Sequence, residues 1–93
     1  MNREQIKAEL TKLELTFGLV MERVKTALEL GTDAELAALM GMSTSNYANR
    51  KRAESIPFDL VIPLCLSRFV SIDWVCTGVG HPFRTGEMST SVP

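Results

Sequence analysis

The segment from Ser43 to Arg52 concentrates groups that bond to nucleic acid. The carboxamide of Asn49 presents a donor and an acceptor side by side, the pair that fits the major-groove edge of adenine. The hydroxyls of Thr44 and Ser45 can donate or accept at a base. Arg50, Lys51 and Arg52 form a basic triplet able to neutralise phosphates, contacts that fix position rather than read sequence.

These groups can act together only if a rigid element holds them at one spacing. Thr32 followed three residues later by Glu35 is a capping box, which predicts a helix from Asp33 with Ala34, Ala37 and Ala38 small enough for close packing. The helix ends at Gly41, where a left-handed backbone meets no steric cost and the chain can reverse. Ser43 caps a second helix from Thr44 to about Lys51. Leu36, Ala37, Met40, Met42 and Tyr47 form an apolar seam between the two, leaving Thr44, Ser45, Asn49 and the basic triplet to face outward. Two short helices about a tight turn are the layout of a helix-turn-helix DNA reader. A plain helical hairpin can also carry a glycine cap and a basic end, since cations are favoured at a helix C-terminus. The conjunction of capping box, alanine-rich first helix, glycine turn, capped polar second helix and basic cluster selects the DNA-binding reading.

The flanking segments read as scaffold. Phe17, Val20, Met21, Val24 and Leu28 fall at helical spacing, predicting a helix that ends near Leu30 and Gly31 and packs behind the reader. Pro57 suits the first turn of another helix, with Phe58, Val61, Ile62, Leu64, Cys65, Leu66 and Phe69 as its buried face. Pro63 removes one intrahelical bond and clashes with the carbonyl of Asp59, so a kink or local break is expected there. Ser71 caps a last short helix carrying Ile72, Trp74 and Val75, with Gly78 at its end. Trp74 reads as core. The residues GVGHPFRTGEMSTSVP from Gly78 lack periodicity and have linker composition, and the chain reads as a piece cut before an assembly domain.

The run GTDAELAALMGMSTSNYANRKRAESIPFDLVIPLCLSRFVSIDWVCTGVG resembles the N-terminal DNA-binding domain of phage CI-type repressors, a lambda-repressor-like domain of five helices. The resemblance covers about Phe17 to Gly80 and rests on TDAELA, the GMS turn, SIPF and SIDWVCTGVG. It implies an all-α, compact five-helix fold with a helix-turn-helix, in a homo-oligomeric repressor of lytic promoters that maintains lysogeny and carries a second, C-terminal assembly domain. It implies base-reading roles for Thr44, Ser45 and Asn49 and phosphate-facing roles for Ser43, Asn46, Lys51 and Arg52, to which the basic head of Arg50 adds. Arg50 stands where the family usually has a bulky apolar residue, so its stem can pack while its guanidinium reaches phosphate. Glu54 stands where a glycine usually ends the reading helix, which predicts a differently built turn into Ser55 and Ile56 and an unfavourable charge near DNA. Double-stranded operator DNA is the implied partner, and an antirepressor protein that sequesters the domain is a further one known for the family.

Composition excludes several other classes. Ninety-three residues, 45% of them hydrophobic, suffice for one core and hardly two. The formal net charge of −1 neither favours nor excludes nucleic acid, because three of the ten basic residues sit together at one helix end. No apolar run is long enough to span a membrane, and Cys65 and Cys76, amid apolar neighbours, read as buried thiols of a cytoplasmic protein. With His81 in a tail-like segment they do not make a metal site, and no cofactor is implied. The chain lacks GxSxG, HExxH, a phosphate-cradling glycine loop and a paired-carboxylate motif, so it does not read as an enzyme. The alternative is a helix-turn-helix used as a protein-interaction module that does not bind DNA directly.

One feature lies outside the resemblance. Ile6, Leu10, Leu13, Phe17, Val20, Val24 and Ala27 alternate at spacings of four and three, a heptad pattern. The core needs the part from Phe17 onward, so Ile6, Leu10 and Leu13 form a surplus stripe that either folds back on its own domain or pairs with a second copy or a partner. The expected organisation is a helical arm at 1–16, the DNA-binding domain at 17–80 and a flexible tail or linker at 81–93.

Overall fold

The computed structural model describes residues 2–5 and 15–84. Five helices follow in order: α1 (Phe17–Ala27), α2 (Asp33–Leu39), α3 (Thr44–Arg52), α4 (Phe58–Ser67) and α5 (Ile72–Thr77). Residues 3–5 form a further helical turn, opened by Asn2 and Gln5, each of whose backbone N–H donates to the other's side-chain oxygen. The chain is all-α, as the sequence predicts.

Hydroxyl caps begin four of the five helices. Thr16, Thr32, Ser43 and Ser71 each accept from the N–H three residues on, at 3.1–3.2 Å. Each satisfies a donor that the first helical turn leaves without a partner. Thr16 has extended backbone, so α1 starts at Phe17 and the heptad stripe does not run into it as one uninterrupted helix. Ile6, Leu10 and Leu13 lie outside the described residues.

Four helices end in the same way. The residue after the C-cap takes a left-handed backbone, its N–H and that of its successor returning to carbonyls of the last turn. Those residues are Glu29 (φ 57°), Gly41 (φ 70°), Glu54 (φ 54°) and Phe69 (φ 59°). The returning bonds run from Leu30 to Lys25, Met42 to Ala37, Ser55 to Arg50 and Val70 to Cys65, at 2.8–2.9 Å. α1 therefore stops at Ala27, short of the expected end near Leu30 and Gly31, because Glu29 turns the chain without a glycine.

The core is a single cluster. Phe17, Val20, Met21 and Val24 of α1 pack with Leu36, Ala37, Met40, Met42, Tyr47, Val61, Cys65, Val70 and Val75, and Leu28 and Trp74 lie partly buried against it. α4 departs from expectation in its start and in its buried face. Pro57 stands at its N-cap rather than in its first turn; of the kink or break expected at exposed Pro63, the break does not occur and the helix continues through it. Val61, Cys65 and Leu64 pack inward as expected, but Ile62, Leu66 and Phe69 are exposed, while Leu60 packs against the core. A proline six residues into a helix can be borne on the solvent side, and the apolar residues beside it were too numerous for one face to bury. The linker composition after Gly78 did not anticipate the return of residues 82–84, where Ser71 N–H donates to Pro82 O at 2.8 Å, Arg84 N–H to Phe69 O at 2.9 Å, and Val70 bridges Phe83.

Candidate nucleic-acid interface

The reading helix is held by its inner face and open on its outer one. Tyr47 is buried, its ring edge-on to Phe17 with centroids 5.2 Å apart, and Leu36, Ala37, Met40 and Met42 complete the seam as expected. Ser43, Thr44, Ser45, Asn46, Asn49, Lys51 and Arg52 are all exposed, and Arg50 is half-buried. α3, one residue longer than expected, and its cap Ser43 thus bring together the eight polar residues singled out in the sequence. Arg52 Nη2 donates to Asn49 Oδ1, coupling a cation to the carboxamide.

Beside this face one carboxylate gathers three partners that sequence reasoning did not connect. Asp33, the first residue of α2, accepts from Tyr47 Oη at 3.1 Å and lies 2.8 Å from Lys25 Nζ and 3.4 Å from Lys51 Nζ. The bond from Lys25 is the largest cause holding the Asp33 carboxyl below the usual carboxylate range, with Tyr47 and Lys51 adding to it against the cost of burial. Lys25 is raised in turn, first by Asp33 and also by Glu22, which lies 3.2 Å away. Burial pushes the Tyr47 phenol far up, and the nearby Asp33 charge adds to this, so it stays a neutral donor. A cleft of about 180 Å³ opens there between the two helices, lined by Asp33, Ala34, Thr44, Tyr47, Ala48 and Lys51. Lys25 lies too far along the chain for any spacing rule to pair it with Asp33.

Glu54 answers the second departure from the family pattern. It adopts the left-handed backbone a glycine would take, and its Oε2 accepts from the Phe17 N–H at 2.9 Å. Its charge is thus spent on the N-terminus of α1, where an anion is favoured.

The cysteines are free. Cys65 is buried, its thiol pushed up to about 11 by burial and then by Cys76, and Cys76 is raised for the same first reason. Both stay protonated near neutrality and serve as scaffold. None of the described helices is long and apolar enough to cross a membrane.

A family model, that of the bacteriophage CI repressor helix-turn-helix domain, matches residues 20–83. The chain belongs to that family. The match spans α2 and α3, the core of α1 from Val20, and the returning segment as far as Phe83. The CI repressor helix-turn-helix family is one of DNA-binding regulators, not an enzyme class. No curated protein and no solved structure matches the chain.

Proposed function

We propose that this CI-family domain is a sequence-specific reader of operator DNA that represses by occupying its site and excluding polymerase. In this reading α3 enters the major groove, Thr44, Ser45 and Asn49 meet base edges, and Ser43, Asn46, Arg50, Lys51 and Arg52 meet phosphates. The observation that carries it is the division of this element, with Tyr47 buried in the seam while seven of the eight residues expected at bases or phosphates, all but half-buried Arg50, are exposed. A surface built only to join another protein would not need three cations and a carboxamide on one turn of helix. The parent repressor works as a homodimer or higher oligomer, setting two readers on half-sites about one helical turn apart, and in the cytoplasm an antirepressor can compete for the same face.

Selection of bound duplexes from a random library tests the reading. Enrichment of one sequence, weakening steeply with salt, supports it, and a two-fold repeat in that sequence reports the assembly. Failure to enrich any duplex, with retention of a protein partner indifferent to salt, sinks it in favour of an interaction module.

A further inference from the structure

The two ammonium groups on Asp33 are not equivalent. Lys25 makes the short contact, at 2.8 Å, and its side chain is only 16% exposed; Lys51 makes the long one, at 3.4 Å, and is 59% exposed. A short, sheltered pair is screened far less by water and salt than a long, open one. Tyr47 adds a neutral donor on the same oxygen that Lys25 meets, leaving Oδ2 as the atom nearest Lys51. Asp33 is therefore compensated from the α1 side whether or not Lys51 stays with it.

We propose, resting on the DNA-binding reading, that Lys25 is a positioning residue for phosphate binding. By satisfying Asp33 from α1 it leaves Lys51 able to move from the carboxylate to a DNA phosphate. Without Lys25, the carboxylate has Lys51 as its one remaining cation among the described residues and holds it back, and any charge left uncovered repels the duplex. Lys25 touches no DNA in this arrangement, and its effect on Lys51 runs through Asp33; its other partner, Glu22, is an open carboxylate on its own helix.

A clamp that merely fixed α1 to α2 would behave differently, since its loss would lower stability and weaken binding alike at every salt concentration. The decisive measurement is the salt dependence of binding by the full chain to the duplex enriched in the selection, for wild type, Lys25→Met, Lys25→Arg and the double variant Lys25→Met with Asp33→Asn. Lys25→Met should lose about one unit of log–log salt slope, so that its affinity deficit narrows about threefold between roughly 50 and 200 mM salt. Lys25→Arg should keep the wild-type slope, and adding Asp33→Asn to Lys25→Met should restore it. If Lys25→Met fails to fold, Lys25→Gln, which keeps a hydrogen bond to Asp33 without the charge, carries the same comparison. A wild-type slope in the uncharged Lys25 variant, or a deficit that Asp33→Asn does not relieve, overturns the inference while leaving DNA binding intact. A wild-type chain that enriches no duplex overturns the DNA-binding reading, and this inference with it.

Discussion

Glu54 at the exit of the reading helix accepts a hydrogen bond from the backbone N–H of Phe17 at the start of α1, 37 residues earlier, at 2.9 Å. One side chain thereby caps α1 and fixes the end of α3 against it, while its own backbone sits at φ 54°, a conformation that costs a non-glycine residue about 1 kcal/mol or more. Two opposing terms follow from this one residue. Glu54→Ala keeps the backbone cost and loses the cap, so it should destabilise by about 1–2 kcal/mol. Glu54→Gly loses the cap and removes the backbone cost, and should come within about 1 kcal/mol of wild type. Urea denaturation of the two variants checks this, and equal losses would mean that the left-handed backbone is not a cost here.

The same residue marks where the sequence could be read and where it could not. Caps at Thr32, Ser43 and Ser71 and the Gly41 turn were legible because each follows from residues within four positions of one another, and the seam through Tyr47 because it joins two helices adjacent in the chain. The ends at Glu29, Glu54 and Phe69 were not, since their left-handed backbones are imposed by the returning hydrogen bonds and not by a permissive residue. The outward set from Ser43 to Arg52 was visible as a pattern. The Asp33 cluster was not, because it joins α1, α2 and α3 through side chains that only the packing brings together. Ile62, Leu66 and Phe69 misled for the opposite reason, as an apolar run carries no mark of which members the core has room for.

Asn49 is the residue expected to read sequence. Asn49→Ala should cost about 1–3 kcal/mol on the preferred duplex and much less on unrelated DNA, since a bidentate carboxamide contact discriminates between bases. Arg52, which donates to Asn49 Oδ1, should then lose an orienting partner, so part of the loss should remain on any duplex. Competition binding with matched and scrambled duplexes measures the two parts. An equal loss on both would make Asn49 a backbone contact.

The Asp33 cluster should make stability depend on acid. Its carboxyl is held below the ordinary 3.8, most of all by the bond from Lys25, so its contribution is complete above the unfolded value and is lost as pH falls through the lower folded one. Asp33→Asn should therefore be less stable near neutrality, by on the order of 1 kcal/mol once solvent screening of this partly exposed group is allowed for. The gap should close as the pH falls through the lowered folded value and wild type is protonated too. Thermal melts from neutral pH downward test the sign, and a gap that widened on acidification would contradict it.

Gly41 and Gly78 separate two reasons for a glycine. Both have left-handed backbone, at φ 70° and φ 75°, but a Cβ on Gly41 would meet nothing within 4 Å, whereas one on Gly78 would stand 2.9 Å from Arg23 Nη2. Arg23 is also the donor whose Nη1 bonds Val75 O at 3.1 Å and ties α1 to α5. Gly41→Ala should cost about 1 kcal/mol, the backbone term alone. Gly78→Ala should cost that and a further amount of about 1–2 kcal/mol, because the guanidinium must shift and leave a carbonyl with a poorer partner. Adding Arg23→Ala separates the parts. In that background the extra cost of Gly78→Ala should vanish and only the backbone term remain, while an extra cost that survives would mean that something other than Arg23 crowds the site.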